Sequence, residues 1–263
     1  MSSYIFDSNA EEREFRRLQL IESANDPTTI ALLKETDIQS GWHCLEMGAG
    51  AGSILRWLGE QVGPTGLAIG VDKKTTYLQD FHTPPFQIYE STFLEAPLEQ
   101  LFHLIHGRYV LIHNQEDIAI LRKMFALLKP GGWAVFEEPD FTSTTLLHQK
   151  KETPQARVNL AICQMFVNMG LSPDYALHLP GKLEKVGFQI FRSQSIMHLC
   201  PGQSSMAKVM GESALVLQQQ YCDTGFCTPE DIQYYVSLSK DSTYWALYHS
   251  TTSVIVRKPA TSS

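Results

Sequence analysis

The chain has 263 residues, of which 43% are hydrophobic and 19% charged, and its formal net charge is -7. This length allows a sizeable apolar core, and no apolar run approaches the roughly 20 residues that cross a bilayer. Backbone binding to nucleic acid needs several clustered cations, and no Lys/Arg cluster here is longer than Lys150–Lys151. Residues 1–14 lack the form of a signal peptide, and the five cysteines contain no C-x-x-C pair. We therefore expect a cytoplasmic protein with neither a membrane nor a nucleic-acid partner.

The N-terminal segment has a helical pattern. Apolar residues recur at helical spacing between Glu11 and Ala24. Asp26 ahead of Pro27 is typical of a helix cap followed by proline at the first helical position. We predict two helices here and assign residues 1–40 to a helical cap segment.

Strands and helices alternate through the middle of the chain. Helices are predicted at Ser53–Val62 and, after a capping Asp117, at Ile118–Leu128. This alternation predicts an open, mostly parallel α/β sheet with helices on both faces, and such sheets bind ligands beyond the carboxyl ends of their strands. The five predicted strands are Trp42–Met47, Leu67–Val71, Phe86–Tyr89, His103–Gly107 and Trp133–Glu137.

Helices dominate beyond Asp140, interrupted by two more strands. The predicted strands are Phe188–His198 and Tyr244–Val256. The predicted helices are Pro154–Met169, Leu177–Val186, Met206–Gln220 and one that begins at Thr228. We assign the parts of the chain as follows: core at 41–198 and 241–257, with a helical segment at 141–186; helical cap insertion at 199–240; disordered tail at 258–263.

The stretch Cys44–Gly52 carries the most chemical information. It reads C-L-E-M-G-A-G-A-G, an apolar strand that ends in an acid and passes through alternate glycines into a helix. Such glycines let a ligand lie against bare backbone, and the helix N-terminus supplies N–H groups. Ser53 stands where the dinucleotide fingerprint needs its third glycine, and Glu46 would repel a pyrophosphate but attract an ammonium or sulfonium group. The pattern favours a cationic ligand.

With two later motifs, this stretch resembles the class I S-adenosylmethionine-dependent methyltransferases, whose first motif reads [DE]-x-G-x-G-x-G. Val71–Asp72 closes the next strand as the family's second acid does. Leu128–Trp133, followed by Phe136–Asp140, is similar to the family's L-[KR]-P-G-G-x segment and its fifth strand. The resemblance implies a seven-stranded Rossmann-like methyltransferase sheet with a helical cap. It also implies S-adenosyl-L-methionine as cofactor and in-line methyl transfer to a small organic acceptor.

The resemblance further implies which residues hold the cofactor. Glu46 would accept a hydrogen bond from its amino group, the loop glycines would line its methionine and ribose, and Asp72 would take the ribose hydroxyls. Thr92 stands where many relatives have an aspartate for the adenine, so that contact should be weaker; Glu95 is an alternative. The predicted cofactor-binding residues are Glu46, Met47, Gly48, Ala49, Gly50, Gly52, Asp72, Lys73, Thr92, Phe93, Gly107, Arg108, Tyr4 and Arg17.

His113 and Glu138 are the catalytic candidates. His113 follows the fourth strand, near the expected position of the methyl group, where it could be a base or equally a capping or packing residue. Glu138 follows the fifth strand and could orient a substrate hydroxyl or amine, or belong to a solvated acidic turn. His106 is interpreted as a packed core histidine, and no metal site is predicted.

Two other functions stay open from the sequence. One is a nucleic-acid or protein methyltransferase, although the amino-directed DNA enzymes need a [DNS]-P-P-[YF] motif where this chain has Arg108–Val110. The other is a non-catalytic module that binds the cofactor as a sensor or scaffold. Thr92 favours that module, whereas the glycines and both acids disfavour it. The acceptor, the atom methylated and the formation of a homodimer are not determined by the sequence.

Overall fold

The computed structural model describes residues 11–147 and 153–260. The helices are α1 Glu11–Lys34, α2 Ser53–Val62, α3 Asp117–Leu127, α4 Ser143–Leu147, α5 Pro154–Asn168, α6 Tyr175–Val186, α7 Ser205–Val216, α8 Gln218–Asp223 and α9 Pro229–Lys240. The strands are β1 His43–Met47, β2 Leu67–Asp72, β3 Phe86–Glu90, β4 Phe102–Arg108, β5 Leu128–Asp140, β6 Gln189–Pro201 and β7 Trp245–Arg257. Most predicted elements lie within a few residues of these bounds.

Within the described ranges, seven strands form one sheet in the order β3-β2-β1-β4-β5-β7-β6. β1 pairs in parallel with β2 and β4, β2 pairs with β3, and β4 pairs with β5. Backbone hydrogen bonds join Gly131 and Gly132, near the start of β5, to Lys258, just after β7. β7 therefore runs antiparallel to β5. The predicted open, mostly parallel α/β sheet flanked by helices is confirmed, and its strand order reverses between β1 and β4, where such sheets bind ligands.

The chain divides into two compact units. Of the described residues, the first unit comprises 11–24, 139–147, 153–177 and 195–252, and the second comprises 25–138, 178–194 and 253–260. In the first unit, α5 and α7 each pack against α8 and α9. In the second unit, an apolar cluster includes Leu33, Cys44, Leu55, Leu58 and Ile255. Burying these side chains is the main stabilising contribution to that unit.

The N-terminal helices predicted on either side of Asp26 are a single helix, α1, with Pro27 inside it. The prediction of two helices is wrong because Asp26 does not act as a cap. Its carboxylate accepts a hydrogen bond from Arg108 Nη2 at 2.9 Å. Proline removes one backbone donor from a helix, and here the chain continues past it as helix to Lys34.

Two other helix ends differ from the predictions. Glu116, not Asp117, occupies the N-cap of α3, and the Asp117 carboxylate instead accepts a hydrogen bond from Lys182 Nζ. The single helix predicted over Met206–Gln220 is divided at Leu217 into α7 and α8. Thr228 does begin a helix as predicted. Its hydroxyl accepts from the Asp231 N–H and the Asp231 carboxylate accepts from the Thr228 N–H, a capping box.

The ends of the chain bear on two predictions. Tyr4 and residues 261–263 lie outside the described residues. Lys258 is the first residue of the tail that we predicted to be disordered, and its Nζ donates a hydrogen bond to the Leu128 carbonyl at 2.7 Å. None of the helices that the structure describes is long and apolar enough to cross a membrane.

Candidate functional site

The loop between β1 and α2 is built from glycines in the left-handed conformation. Gly48, Gly50 and Gly52 have φ angles of 74°, 57° and 94°. A β-carbon at Gly48 would lie 2.4 Å from Val110 Cγ2, and one at Gly52 would lie 2.7 Å from the Phe81 ring. The loop therefore needs glycine both for its backbone angles and for its packing. It brings the polypeptide backbone, with no side chain larger than a methyl group, to the carboxyl end of β1.

Asp72, the last residue of β2, holds this loop. Its Oδ2 accepts a hydrogen bond from the Gly50 N–H at 2.9 Å, and its Oδ1 accepts one from the Lys74 N–H at 3.0 Å. Burial raises the pKa of Asp72, while the backbone N–H groups of Gly50, Lys74 and Lys73 oppose that shift. The loop and the end of β2 are thus one hydrogen-bonded structure, and the Lys73 side chain beside it is exposed.

Beneath the loop, His106 of β4 lies between two carboxylates. His106 is 0% exposed and Glu46 of β1 is 4% exposed. The His106 Nδ1 lies 2.8 Å from Glu46 Oε2, and its Nε2 lies 3.3 Å from Glu137 Oε2. Burial lowers the pKa of His106, but Glu46 and Glu137 outweigh it and raise that pKa to about 9. The imidazole is therefore an imidazolium at neutral pH, paired with carboxylates on both sides.

Arg108 extends this buried network to α1. Its Nη1 donates to Thr29 Oγ1 at 2.7 Å and its Nη2 donates to Asp26 Oδ1 at 2.9 Å. Thr29 Oγ1 in turn donates to Glu137 Oε2 at 2.6 Å. Burial lowers the pKa of Arg108, but the charges of Glu137 and Asp26 raise it by more, so the net shift is upward and the guanidinium stays charged. Three carboxylates face two cations, which leaves the buried network with one net negative charge.

Tyr109, just after β4, adopts an unusual backbone conformation with a φ of 58°. Its N–H donates to the Glu137 carbonyl at 2.8 Å, and its hydroxyl donates to Asn25 Oδ1 at 3.0 Å. A bulky residue pays a steric cost in this region. These contacts on both sides hold Tyr109 there and turn the chain out of β4 towards Val110.

Glu138 anchors the turn that follows. Its Oε1 accepts hydrogen bonds from the N–H groups of Val110 and Leu111 at 3.1 Å and 2.8 Å, and its Oε2 accepts one from Ile112 at 3.1 Å. Burial raises the pKa of Glu138 to about 8, although these three N–H groups lower it. His113 ends the short 3-10 helix in this turn. Glu138 therefore positions the segment that carries His113, and the catalytic roles of both residues stay predictions.

Gly107 and Met47 are neighbours across β1 and β4. A β-carbon on Gly107 would lie 2.8 Å from Met47 Cε, so the Met47 side chain takes the space that a larger residue would need. Ala49, in the glycine loop, is also buried. The cofactor contacts predicted for these three residues stay predictions.

The Thr92–Phe93 segment follows β3. Thr92 Oγ1 donates to Glu95 Oε2 at 2.8 Å and accepts from the Glu95 N–H at 3.2 Å, so the hydroxyl stabilises a local turn. The Phe93 ring is buried, with Lys123 Nζ 5.5 Å from its centroid. The adenine contacts predicted for both residues stay predictions.

Arg17 belongs to the first unit, whereas every other described candidate belongs to the second. Its Nε and Nη2 donate to the two carboxylate oxygens of Glu14 at 2.8 Å and 2.6 Å. The Glu-x-x-Arg pattern of the N-terminal segment therefore forms a buried ion pair within α1. Its predicted contact with the cofactor stays a prediction.

Comparison with known proteins shows which family has this architecture. The family profile described as "Methyltransferase domain" matches residues 13–202, well over half of the chain. The chain belongs to the methyltransferase domain family.

Solved structures of other proteins show the same fold at low identity. The cyclopropane synthase MmaA2 from Mycobacterium tuberculosis is 15% identical, with a TM-score of 0.61 over 98% of this chain and 96% of that one. A protein described as a methyltransferase from Bacillus halodurans is 11% identical, with a TM-score of 0.58 over 88% of this chain and 98% of that one. A protein described as a sarcosine dimethylglycine methyltransferase from Galdieria sulphuraria is 14% identical, with a TM-score of 0.56 over 90% and 86%.

A curated relative is an uncharacterized 37.1 kDa protein in transposon TN4556 of Streptomyces fradiae. It is 27% identical over 131 residues, which are 48% of this chain. The matched part spans 38% of the length of that relative.

Several residues of this methyltransferase-family site were missed by reasoning from the sequence. Asp26 and Thr29 lie three apart on α1, which places them on one helical face, and Arg108 bonds both. Asn25 and Tyr109 form the next contact along the same helix. The spacing of Asp26 and Thr29 was visible in the sequence, but their partner, about 80 residues away, was not.

The buried imidazolium leads to a pH prediction. The pKa of His106 is raised to about 9 in the folded protein, above its ordinary value of 6.5. Its contribution to stability is therefore complete below pH 6.5 and is lost as the pH rises through about 9. We expect the ring resonances of His106 in heteronuclear NMR to titrate near pH 9, assigned by their loss in His106→Gln. A midpoint at or below 6.5 would contradict the paired imidazolium.

Proposed function

We propose that the protein is an S-adenosylmethionine-dependent methyltransferase that acts on a small organic acceptor. Membership of the methyltransferase family and the parallel sheet support the reaction class. The acidic net charge of -7 supports a small molecule over a nucleic acid as the acceptor. A nucleic-acid or protein acceptor is the alternative within the same reaction class.

The observation that carries this proposal is the bond between the Gly50 N–H and Asp72 Oδ2. This bond connects two parts of the proposed site. One is the backbone of the glycine loop, which we propose holds the methionine part of the cofactor. The other is the Asp72 carboxylate, which we propose holds the ribose hydroxyls. Each carboxylate oxygen has two lone pairs, so Asp72 can accept from the loop and from a ribose together. Gly52 at the N-cap of α2 makes no side-chain cap, and the N-terminus of a helix favours an anionic group such as a ligand carboxylate.

The charge of the buried network fits the same cofactor. Glu46, Glu137 and Asp26 exceed His106 and Arg108 by one negative charge, near the carboxyl ends of β1, β4 and β5. A sulfonium and an ammonium group are stabilised near such a charge, whereas a pyrophosphate is repelled. This favours an adenosyl sulfonium over a dinucleotide in the glycine loop.

S-adenosylmethionine would supply the methyl group, which passes in line from its sulfur to the acceptor. The protein then has to orient the reactants and exclude water. Glu138 fixes the turn at 110–113, because three backbone N–H groups of the turn donate to its carboxyl group, and we assign this turn to that role. A base is needed only where the acceptor atom must lose a proton, and His113 is our candidate for it.

Isothermal titration tests the proposal. We expect S-adenosylmethionine and S-adenosylhomocysteine to bind the wild-type protein with a Kd below about 1 mM. Asp72→Asn should weaken both by about tenfold or more, because an amide nitrogen cannot accept from the Gly50 or Lys74 N–H. Asp37→Asn is the matched control, since Asp37 is exposed in the same unit and asparagine tolerates its left-handed backbone.

The outcomes separate the alternatives. No heat and no thermal shift with either compound would end the assignment. Binding without formation of S-adenosylhomocysteine over a panel of small acceptors would favour a cofactor-binding sensor or scaffold. Thr92, whose hydroxyl is engaged with Glu95, is the feature that favours this second function.

A further inference from the structure

The first unit contains polar side chains that are buried without a polar partner. Asn159 in α5 is 2% exposed, and both its Nδ2 and its Oδ1 lack a hydrogen-bond partner among the described residues. Tyr235 in α9 is 1% exposed, and its hydroxyl also lacks a partner among the residues that the structure describes. A buried amide or hydroxyl without a partner is costly, and asparagine is a poor helix former as well. Stability therefore does not explain these residues.

Helix packing and contacts of neighbouring residues place the two side chains in adjoining elements of the unit. α5 packs against α9. Gln155 lies one helical turn before Asn159 and so on the same face of α5, and its Oε1 accepts a hydrogen bond from the Tyr244 hydroxyl. The Tyr235 ring lies 5.9 Å from the Tyr248 ring, edge to face. We call this set, with Tyr221 of α8, the tyrosine cluster: Gln155, Asn159, Tyr221, Tyr235, Tyr244 and Tyr248.

The tyrosine cluster is electrically neutral. Burial raises the pKa of Tyr221, Tyr235 and Tyr248, so their hydroxyls stay protonated at neutral pH. Two cations of this unit are paired with acids. Arg157 is bonded to Asp231, and Arg17 to Glu14. A charged ligand would have to lose its hydration without meeting an opposite charge, so the region suits a neutral molecule.

The unpaired polar groups of Asn159 and Tyr235 indicate which functional group the ligand carries. The Asn159 amide offers a donor beside an acceptor, and the Tyr235 hydroxyl adds a third hydrogen-bonding group. A carboxamide or lactam presents the complementary acceptor and donor side by side. Tyrosine rings stack against aromatic rings, so the cluster suits an aromatic ligand. Tyr244 is only partly buried, so the cluster reaches the protein surface at Tyr244.

We propose that the tyrosine cluster of the first unit is a binding site for a neutral aromatic molecule that carries a carboxamide or lactam group. This inference does not rest on the proposed function, and its test needs no S-adenosylmethionine. Benzamide is the probe, and benzoate is its charged analogue. At saturation we expect benzamide to raise the thermal midpoint of the wild-type protein by about 3 °C, and benzoate to leave it unchanged.

Two variants test whether the unpaired polar groups of Asn159 and Tyr235 bind the ligand. Asn159→Leu and Tyr235→Phe remove unpaired polar atoms at nearly constant volume, so without ligand their midpoints should stay the same or rise by about 2–4 °C. Both should weaken benzamide binding by about tenfold in calorimetry. Asn168→Leu is the matched control, because Asn168 is exposed at the end of the same helix; it should bind benzamide as the wild type does.

The proposal is overturned if benzamide gives no shift in the wild type, or shifts Asn159→Leu equally. It is also overturned if both variants unfold at lower temperature without ligand, because enclosed water would then satisfy these groups as part of the fold. A stability gain together with a loss of benzamide binding supports a ligand site, since it separates the two roles.

Discussion

Replacing Gly50 with valine is expected to abolish measurable binding of S-adenosylmethionine. Gly50 has a φ of 57°, where a residue with a β-carbon is strained by about 1–2 kcal/mol and a branched one by more. Relief of that strain would rotate the Gly50 N–H away from Asp72 Oδ2, 2.9 Å away. The side chain would also stand between the loop backbone and the cofactor proposed to lie against it. We expect calorimetry to show a loss of affinity of about 100-fold or more.

Gly225→Val is the matched control for this experiment. Gly225, in the first unit, also has a positive φ, 76°. Apart from its two chain neighbours, no described residue has an atom within 4 Å of the β-carbon that it would gain. Both variants pay a backbone cost, but only Gly50→Val alters the loop. If Gly50→Val and the wild type are both folded by circular dichroism and bind the cofactor with equal affinity, the glycine loop is not part of the cofactor site.

The glycine loop and the parallel strands could be predicted from the sequence because their causes are local. Alternate glycines after an apolar strand fix the turn at Gly48–Gly52 whatever the rest of the chain does. The alternation of strand and helix patterns then limits the topology to a few choices. Asp72 was predicted from its place at a strand end, and the structure puts it in contact with the loop. The element bounds followed from the same short-range patterns.

The failures have long-range causes. Asp26 before Pro27 is a cap pattern, but its carboxylate is engaged by Arg108, 82 residues further along the chain. Asp117 has the pattern of a cap and instead bonds Lys182, 65 residues away. A short polar side chain at a helix start can bond its own backbone or a distant cation, and only the fold decides between them.

His106 and Glu137 show the same limit within the site. The sequence predicted a packed core histidine, and His106 is buried. Its charge state, however, depends on Glu46 across one strand pair and Glu137 across another. Neither pairing register can be read from the sequence without the sheet order. The electrostatics of the site therefore emerged only from the structure.

Removal of the Glu138 carboxyl group is the second change with a large expected effect. Glu138→Ala leaves the N–H groups of Val110, Leu111 and Ile112 without the oxygens that they bond now. At about 1 kcal/mol for each lost hydrogen bond, the free energy of unfolding should fall by about 3 kcal/mol. Urea unfolding at pH 6.5 measures it. Glu99→Gln, an exposed acid of the same unit, should stay within about 0.5 kcal/mol of the wild type.

Glu138→Gln separates the role of the anchor from that of its charge. The amide oxygen can still accept from Val110 and Leu111, while the amide nitrogen meets the Ile112 N–H, so the loss should be smaller than in Glu138→Ala. Because the pKa of Glu138 is raised to about 8 from an ordinary 4.5, its protonated form stabilises the fold; this contribution is complete below pH 4.5 and is lost as the pH rises from there through about 8. Glu138→Gln should lack that part of the pH dependence. Hydrogen exchange of residues 109–114 should quicken in the order wild type, Gln, Ala. Unchanged exchange in Glu138→Ala would mean that Glu138 does not hold the turn, and the positioning of His113 would need another cause.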